Sequence, residues 1–326
     1  MTTPVTGPAT SGTEPAGPDA PGPLLARLRR PRTSESVRIA VVADPHVTVG
    51  ERGTWKVAHR SRELLERAVA RTDAAGADLA VLPGDLTGDG HRAAFDAVEE
   101  VLADLETPWV AVPGNHDVPK TFDTHDSPPA SAFEARYAAD SGLPFAREVG
   151  PVTLLGVNTA SAPDGGLRST WGGRVGERDR AWLAETLPGA ETPVVVLHHN
   201  VAALPENPGG KWANFPLGDA DAVREVLADH EVPLALTAHH HVPALADHGP
   251  TAEVLAPAVC SYPQAMLLVD IGPDGTAVWL VPLAGATEVR EARRLATSGK
   301  PLAAGVAELV DRRLGALPLA DHGPEA

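Results

Sequence analysis

The segment VLPGDLTGDGHRAAFDAVEEVLADLETPWVAVPGNHD, residues 81–117, predicts two β-strands joined by a helix. Apolar and β-branched residues form short runs at 78–82 and 109–112, which is typical of buried strands. Between them, apolar residues recur every three or four positions over 91–105, the spacing of one face of a helix. Two strands joined by a helix predict a parallel pair with a right-handed crossover, and hence an α/β fold.

The alternation of strands and helices continues on both sides of this segment. A strand pattern at 37–43 and a helix pattern at 56–75 precede it. Later strands are predicted at 152–157, 194–197 and 232–236, and later helices at 177–187 and 219–228. The last strand patterns, at 253–256, 265–271 and 276–281, have no helices between them and are expected to pair antiparallel.

The two ends of the chain differ in composition from this α/β region. Residues 1–36 are rich in Pro, Gly, Thr and Ala without a hydrophobic period, so we expect a disordered tail. Residues 37–284 form the predicted domain. Residues 285–326 are predicted to form a helical C-terminal extension of two short helices, which we expect to pack on the domain rather than on a partner.

Length, charge and cysteine content exclude several classes of protein. The 326 residues carry a net charge of −16, which argues against a nucleic-acid binder with a broad basic face. The single cysteine, Cys260, excludes an intramolecular disulfide framework and a cysteine-rich metal site. Since we find neither an apolar run near twenty residues nor a secretory leader, we expect a cytoplasmic protein without a membrane span.

Side chains with metal-ligand chemistry follow five of the predicted strands. These motifs are Asp44-Pro45-His46, Gly84-Asp85, Gly114-Asn115-His116-Asp117, His198-His199-Asn200 and His239-His240-His241. In open α/β sheets, ligands bind outside the carboxyl ends of the strands. We therefore expect the five motifs to converge on one crevice, although they are widely separated in the chain.

Seven of these side chains are candidate metal ligands: Asp44, His46, Asp85, Asn115, His198, His239 and His241. Seven oxygen and imidazole donors are too many for one ion that keeps open positions, and they suit two divalent ions bridged by one carboxylate. The spacing of two in Asp44-x-His46 and His239-x-His241 suits side chains that leave a strand end on one face. Mixed imidazole and carboxylate ligands favour Mn, Fe, Zn or Co over Ca or Cu(I).

The five motifs resemble, in their order along the chain, the signature of the calcineurin-like metallophosphoesterases: D-x-H, G-D, G-N-H-D/E, H and G-H-x-H. Residues 81–117 look like the branch of cyclic-nucleotide phosphodiesterases and glycerophosphodiesterases, and the resemblance spans about residues 37–284. Two residues depart from the pattern: Ala238 stands where the family usually has Gly, and Asn200 where that branch often has Pro. The resemblance implies a four-layer α/β/β/α fold, a mixed-sheet sandwich flanked by helices, with the metal site at the C-terminal ends of the strands.

The resemblance also implies how two divalent ions (Mn, Fe or Zn) would share the ligands. One ion would take Asp44, His46 and His241, the other would take Asn115, His198 and His239, and Asp85 would bridge them. A water held between two cations has a lowered pKa, and as hydroxide it would attack phosphorus in line. His116 is assigned as the catalytic acid for the leaving group, or as a donor to the developing charge, with ligand orientation as the alternative.

Four polar residues beside the motifs are candidates for supporting roles. His199 and His240 are neighbours of ligands and face the other way by strand alternation, so we expect them to support those ligands. Asp117 and Asp89 are candidates to orient His116, although both would also serve as loop caps.

The segment 200–217 is a long loop between a ligand and the next helix, and such loops often carry substrate contacts. The candidate substrate-binding residues are His199, Lys211 and Asn214. Trp212 is either a platform for a base or alcohol group, or a ring tucked against the domain.

The sequence favours a binuclear-metal phosphoesterase that acts on a small phosphodiester, such as a 3′,5′-cyclic nucleotide or a glycerophosphodiester. A phosphomonoesterase is the alternative. A nuclease fits the net charge of −16 poorly. A non-catalytic scaffold on the same fold is disfavoured because every ligand position and His116 are filled, and a hydrolase of non-phosphate bonds is disfavoured by the order of the ligands. The oligomeric state stays open.

Overall fold

The computed structural model describes residues 21–120, 123–139, 142–160, 172–204, 212–213 and 215–323. Its strands are β1 (Leu24–Leu28), β2 (Val37–Val41), β3 (Leu79–Leu82), β4 (Trp109–Ala111), β5 (Phe145–Val149), β6 (Val152–Gly156), β7 (Pro193–Val196), β8 (Leu234–Thr237), β9 (Ala244–His248), β10 (Thr251–Leu255), β11 (Ala265–Gly272), β12 (Gly275–Pro282) and β13 (Ala320–Asp321). Its helices are α1 (Ser61–Ala74), α2 (Arg92–Leu102), α3 (Ala130–Tyr137), α4 (Gly176–Thr186), α5 (Ala220–Asp229), α6 (Ala286–Thr297) and α7 (Pro301–Leu314). Short 3₁₀ turns stand at Ala58–Arg60 and Leu187–Gly189.

The strands form two mixed sheets. The first has the order β13-β1-β12-β11-β2-β3-β4, and the second has the order β5-β6-β7-β8-β10-β9. Strands β2, β3 and β4 run parallel, and so do β6, β7, β8 and β10. Helices connect most of the parallel strands, whereas β11 and β12 form an antiparallel hairpin. The carboxyl ends of the parallel strands carry the five motifs.

Three layers of apolar contacts explain why the sheets stack. One cluster lies between the two sheets and includes Ile39 and Val81 of the first and Leu154 and Leu236 of the second. A second cluster joins the first sheet to α1 and α2, and another joins the second sheet to α4 and α5. The result is the predicted four-layer α/β/β/α sandwich, because each sheet buries one face on the other sheet and one face on helices.

The prediction of a disordered tail through residue 36 is wrong for residues 24–28. They form β1, which pairs antiparallel with β12 and parallel with β13, and Leu25 is fully buried. The composition of the first 36 residues hides this strand, because five residues of Leu-Leu-Ala-Arg-Leu stand within a Pro- and Gly-rich stretch. Residues 1–20 lie outside the described part of the chain.

Two further predictions about the elements need correction. Strand β10 does not pair with β11: it lies in the second sheet between β8 and β9, a strand that the sequence pattern did not reveal. The helix predicted from residue 56 begins instead at Ser61, because a turn with positive φ at Thr54 and Val57 precedes it. Neither correction changes the strands that carry the motifs.

The C-terminal helices pack within the chain, as expected. Ala292 of α6 and Val306 and Val310 of α7 share one buried cluster with Val57 and Val242. The division of the chain at residue 284 stays a prediction. Among the described residues, we find no helix with the length and apolar character needed to cross a membrane.

Candidate metal centre

The candidate ligands do not extend from the strands themselves but from tight turns just beyond them. Asp44, His46, Asp85, His239 and His241 all have positive φ, between 42° and 63°. This left-handed backbone is uncommon for residues other than glycine, and such strain is typical of functional sites. Asp44 and His46, like His239 and His241, thus lie in turns beyond the ends of β2 and β8, and not in strands that continue through them.

A first cluster joins Asp44, His46 and His241. The two Nε2 atoms of His46 and His241 lie 3.1 Å apart, and Asp44 Oδ1 lies 3.6 Å from His241 Nε2. His241 Nδ1 contacts Ser261 Oγ at 2.8 Å, a contact that fixes the ring and turns Nε2 toward the cluster. All three ligand side chains are buried.

A second cluster joins Asn115, His198 and His239. His198 Nε2 lies 3.3 Å from Asn115 Oδ1 and 3.1 Å from His239 Nδ1. His198 Nδ1 donates to the carbonyl of Pro83 at 2.7 Å. The lone pair of the neutral ring is therefore on Nε2, which faces the cluster. These three side chains also are buried, with His239 the most exposed at 9%.

The Asp85 carboxylate lies between the two clusters. Its Oδ2 is 3.2 Å from His46 Nε2 in the first cluster, and its Oδ1 is 3.4 Å from His198 Nε2 in the second. Oδ1 also accepts a hydrogen bond of 2.8 Å from the backbone N–H of His116. One carboxylate therefore presents one oxygen to each cluster.

The chemistry of these donors fits divalent cations. Asp44, His46, Asp85 and His241 lie close enough to share one ion. The Oδ1 atom of Asp44 is buried and has no hydrogen-bond donor among the described residues. Two imidazole nitrogens 3.1 Å apart cannot both donate to each other, so their lone pairs need a shared cation or proton between them.

Burial shifts the pKa values of these groups in the direction that favours their neutral forms. It raises the pKa of Asp85 to about 6 and lowers the pKa of His198 to about 3. It also holds the pKa values of His46 and His241 well below their usual range, with Lys56 as the next cause. A neutral imidazole is the form that binds a metal ion, so the site keeps its histidines ready for ligation.

Two glycines allow the motifs to approach each other. A Cβ on Gly114 would lie 2.1 Å from Asp85 Oδ1, and a Cβ on Gly84 would lie 2.7 Å from His198 Nδ1. Gly84 also has a φ of +94°, which residues other than glycine rarely adopt. Both motif glycines are therefore needed for the ligands to fit, and not only for the turns.

His116 lies beside the first cluster, at the wall of a cleft. Its ring packs edge-on against the ring of His46 with 4.6 Å between centroids, and its Nδ1 faces the carbonyl of Gly88. The candidates named to orient it have other partners. Asp117 accepts from the backbone N–H groups of Leu86, Thr87 and Gly114, and Asp89 from that of His91. Thus a backbone carbonyl, rather than either carboxylate, contacts the His116 ring.

The other predicted site residues divide into described and undescribed ones. His199 does lie with the second cluster, since its ring centroid is 4.3 Å from that of His239 and its Nδ1 is 2.8 Å from Thr159 Oγ1. Lys211 and Asn214 lie outside the described residues. Trp212 packs against α7, where a Cβ on Gly305 would lie 2.8 Å from the indole, so the structure favours the tucked ring over the substrate platform.

A buried glutamate that sequence reasoning passed over ties the two histidine motifs together. Glu253 on β10 is fully buried and accepts from the backbone N–H groups of Val201 and Ala202, each at 2.7 Å. It also accepts from Thr237 Oγ1 at 2.7 Å, just before the His239 motif, and contacts His248 Nε2 at 2.8 Å. One carboxylate thus holds the loop after His198 and the end of β8 in register.

The variant Glu253→Gln is expected to lower the free energy of unfolding by about 2–4 kcal/mol, because an amide N–H₂ would face a buried donor. Urea denaturation measures this change. The matched control is Asp73→Asn. Half-buried Asp73 accepts from groups of the same kinds, two backbone N–H groups and the hydroxyl of Thr107, but it lies remote from the motifs. A loss for Glu253→Gln no greater than that of the control would contradict this role.

Two more residues at the site escaped the sequence patterns. The Lys56 ammonium lies 3.0 Å from His46 Nε2 and 3.1 Å from His116 Nε2. Cys260 is fully buried within reach of ligand atoms of His46 and His241, and burial raises the pKa of its thiol. The sequence pattern places Lys56 at the start of a predicted helix, and no pattern pairs it with motifs elsewhere in the chain.

Comparisons with known proteins give the family of the chain and relatives of its fold. The sequence model of the calcineurin-like phosphoesterase family matches residues 37–243. A probable cyclic nucleotide phosphodiesterase of Synechococcus sp. is 26% identical over 208 residues, which cover 61% of this chain and 74% of that protein. A dimetal phosphatase from Danio rerio shares the fold at 15% identity, with a TM-score of 0.62 over 76% of this chain and 96% of that one.

Proposed function

This chain belongs to the calcineurin-like phosphoesterase family, and on that premise we propose that it hydrolyses a small phosphodiester with two divalent metal ions. The substrate class we favour is a 3′,5′-cyclic nucleotide or a glycerophosphodiester. The similarity to a probable cyclic nucleotide phosphodiesterase supports this choice.

The position of the Asp85 carboxylate carries the proposal of two ions. Its two oxygens face different clusters, 3.2 Å from His46 Nε2 and 3.4 Å from His198 Nε2. Ligand clusters on both sides of one carboxylate suit two ions that share it. We assign Asp44, His46 and His241 to one ion, Asn115, His198 and His239 to the other, and Asp85 to both. Mn, Fe or Zn suits this mixture of imidazole and carboxylate.

When bound, the two ions would supply an activated water as nucleophile and would neutralise charge on the phosphoryl oxygens. The protein's own groups contribute orientation and proton transfer. The carbonyl of Gly88 accepts from His116 Nδ1–H and so leaves Nε2 to face the cleft. The neutral ring has a lone pair at Nε2, so the acid role we assign to His116 requires that Nε2 first take up a second proton. That proton would pass to the leaving oxygen as its bond to phosphorus breaks.

A phosphomonoester is the second candidate substrate. Lys56 adds a positive charge beside both His46 and His116, and a dianionic phosphoryl group would gain more from a further cation than the monoanionic group of a diester.

The test is turnover of two chromogenic substrates, a phosphodiester and a phosphomonoester, by protein stripped of metal and reloaded with Mn²⁺. We expect the diester to be hydrolysed faster, and a chelator to abolish both activities because the histidines and carboxylates then lack their cations. Cyclic nucleotides and glycerophosphodiesters would be compared next.

Each other result selects a different function. Faster turnover of the monoester would contradict the proposed phosphodiesterase and favour a phosphomonoesterase. A purified protein that takes up none of Mn, Fe or Zn would contradict the metal-dependent mechanism and favour a scaffold.

A further inference from the structure

We propose that Lys56 binds a non-bridging oxygen of the substrate's phosphoryl group, as a side-chain cation that acts together with the metal ions. This inference rests on the proposed function and names a residue that recognises the anionic group of its substrate. It predicts that replacing Lys56 weakens the binding of phosphate and leaves the metal content unchanged.

The Lys56 ammonium lies over the His46 ring rather than in line with its lone pairs. Its Nζ is 3.1 Å from His46 Nδ1 and 3.0 Å from His46 Nε2, and nearly equal distances to both nitrogens of one ring put the ammonium over the ring face. His46 Nε2 is directed instead toward His241 Nε2 and Asp85 Oδ2, at 3.1 and 3.2 Å. Lys56 therefore does not occupy the position in line with His46 Nε2 that a cation held by the first cluster would take.

The contact with His116 orients the ammonium. The Nδ1 atom of His116 faces the carbonyl of Gly88, which can only accept, so Nδ1 carries the hydrogen. The neutral ring then presents a lone pair at Nε2, and Lys56 Nζ, 3.1 Å away, donates to it. An ammonium has three N–H donors, so donors remain for an anion that enters beside His116.

A strained turn presents Lys56 to the site. Thr54 and Val57 have φ values of +61° and +49°, and β-branched residues rarely adopt this conformation. Between them, the Trp55 ring packs on His241 with 4.9 Å between centroids, while Val57 is fully buried. Packing on both sides of Lys56 holds this conformation, as expected where backbone strain serves a site.

The cleft in front of Lys56 is large enough for a substrate. It has a volume of about 530 Å³ and is lined by His46, His116, Lys56 and Trp55 on the side of the site. The turn between α6 and α7, including Lys300, lines it as well. Lysine binds phosphate as a point charge, and a partly enclosed cleft strengthens that attraction relative to open water.

Isothermal titration of Mn²⁺-reloaded protein with inorganic phosphate tests the inference. We expect Lys56→Met to bind phosphate about 10- to 100-fold more weakly than wild type, because one charge-assisted contact is lost. The metal content should equal that of wild type, since Lys56 is not a ligand. Lys300→Met is the matched control, a lysine of the same cleft that is exposed and should leave phosphate affinity close to wild type.

Two results would overturn the inference. Wild-type phosphate affinity in a metal-loaded Lys56→Met protein would show that Lys56 does not contact the anion. Loss of metal from Lys56→Met, with unchanged phosphate affinity in the remaining loaded fraction, would show that it only supports His46. Lys56→Gln, which keeps a donor but no charge, replaces Lys56→Met if that variant fails to fold. Absence of ester hydrolysis in wild type would instead contradict the proposed function.

Discussion

Asp85→Asn is expected to lower phosphoester turnover by about three orders of magnitude or more, with loss of one of two bound ions. Asp85 presents one oxygen to each cluster, and an asparagine has only one oxygen to offer. It also lacks the negative charge that offsets two cations.

The hydrogen bonds of Asp85 predict which ion is lost. Asp85 Oδ1 accepts from the backbone N–H of His116 at 2.8 Å, so the amide oxygen of the asparagine should take this position. Its N–H₂ would then point at His46 Nε2, where Oδ2 now lies at 3.2 Å. The first cluster, with Asp44, His46 and His241, should therefore lose its ion.

Metal analysis by mass spectrometry and turnover of the chromogenic phosphodiester measure the effect of Asp85→Asn. Asp89→Asn is the matched control, because Asp89 belongs to the same loop but contacts His91 N and His125 rather than either cluster. It should keep both ions and near-normal turnover. An Asp85→Asn protein that retains two ions per chain and wild-type activity would disprove the bridging role.

His116→Ala is expected to lower kcat by about 10²- to 10⁴-fold while both ions remain bound, because a proton donor is lost but no ligand is. The His116 side chain has Nδ1 on the Gly88 carbonyl and Nε2 toward the cleft, and its ring is not the part that contacts Asp85. The backbone N–H of residue 116 still donates to Asp85 Oδ1 in the alanine variant. The metal centre should therefore keep its geometry.

The dependence on the leaving group distinguishes an acid from a merely structural residue. Loss of an acid should slow esters of poorly acidic alcohols far more than p-nitrophenyl esters, whose leaving group needs little protonation. His125→Ala is the control, a half-buried histidine near Asp89 that contacts no cluster. Equal losses for both kinds of ester, or turnover close to wild type with metal retained, would rule out the acid role.

The sequence predicted the strands that carry the motifs because their signals are local. Residues 37–43, 78–82 and 109–112 are short apolar runs, and the structure confirms strands at Val37–Val41, Leu79–Leu82 and Trp109–Ala111. Strands of a parallel sheet deliver their loops to one edge, so convergence of the five motifs followed from the strand assignments alone. The metal roles of the residues in these motifs stay predictions until ions are measured.

Contacts between remote segments were outside the reach of the sequence. Glu253 is a single glutamate in an apolar strand, and its four partners come from residues 201, 202, 237 and 248. A glutamate within an apolar strand is the signal that a buried carboxylate needs partners. No pattern in the sequence says which residues those partners are. The strand of Leu24–Leu28 was missed for a related reason, because its stability comes from pairing with β12 and not from its own composition.

The sequence by itself determined the α/β class, the order of the five motifs and the chemistry of their donors, since periodicity and residue type are properties of the local chain. Only the tertiary structure decided that Asp85 lies between two clusters, that Gly88 rather than Asp117 or Asp89 contacts the His116 ring, and that Lys56 reaches the same cleft. These outcomes depend on distances of about 3 Å between segments far apart in the chain. Left-handed turns, glycine contacts and packing between layers set such distances, and no spacing along the sequence encodes them.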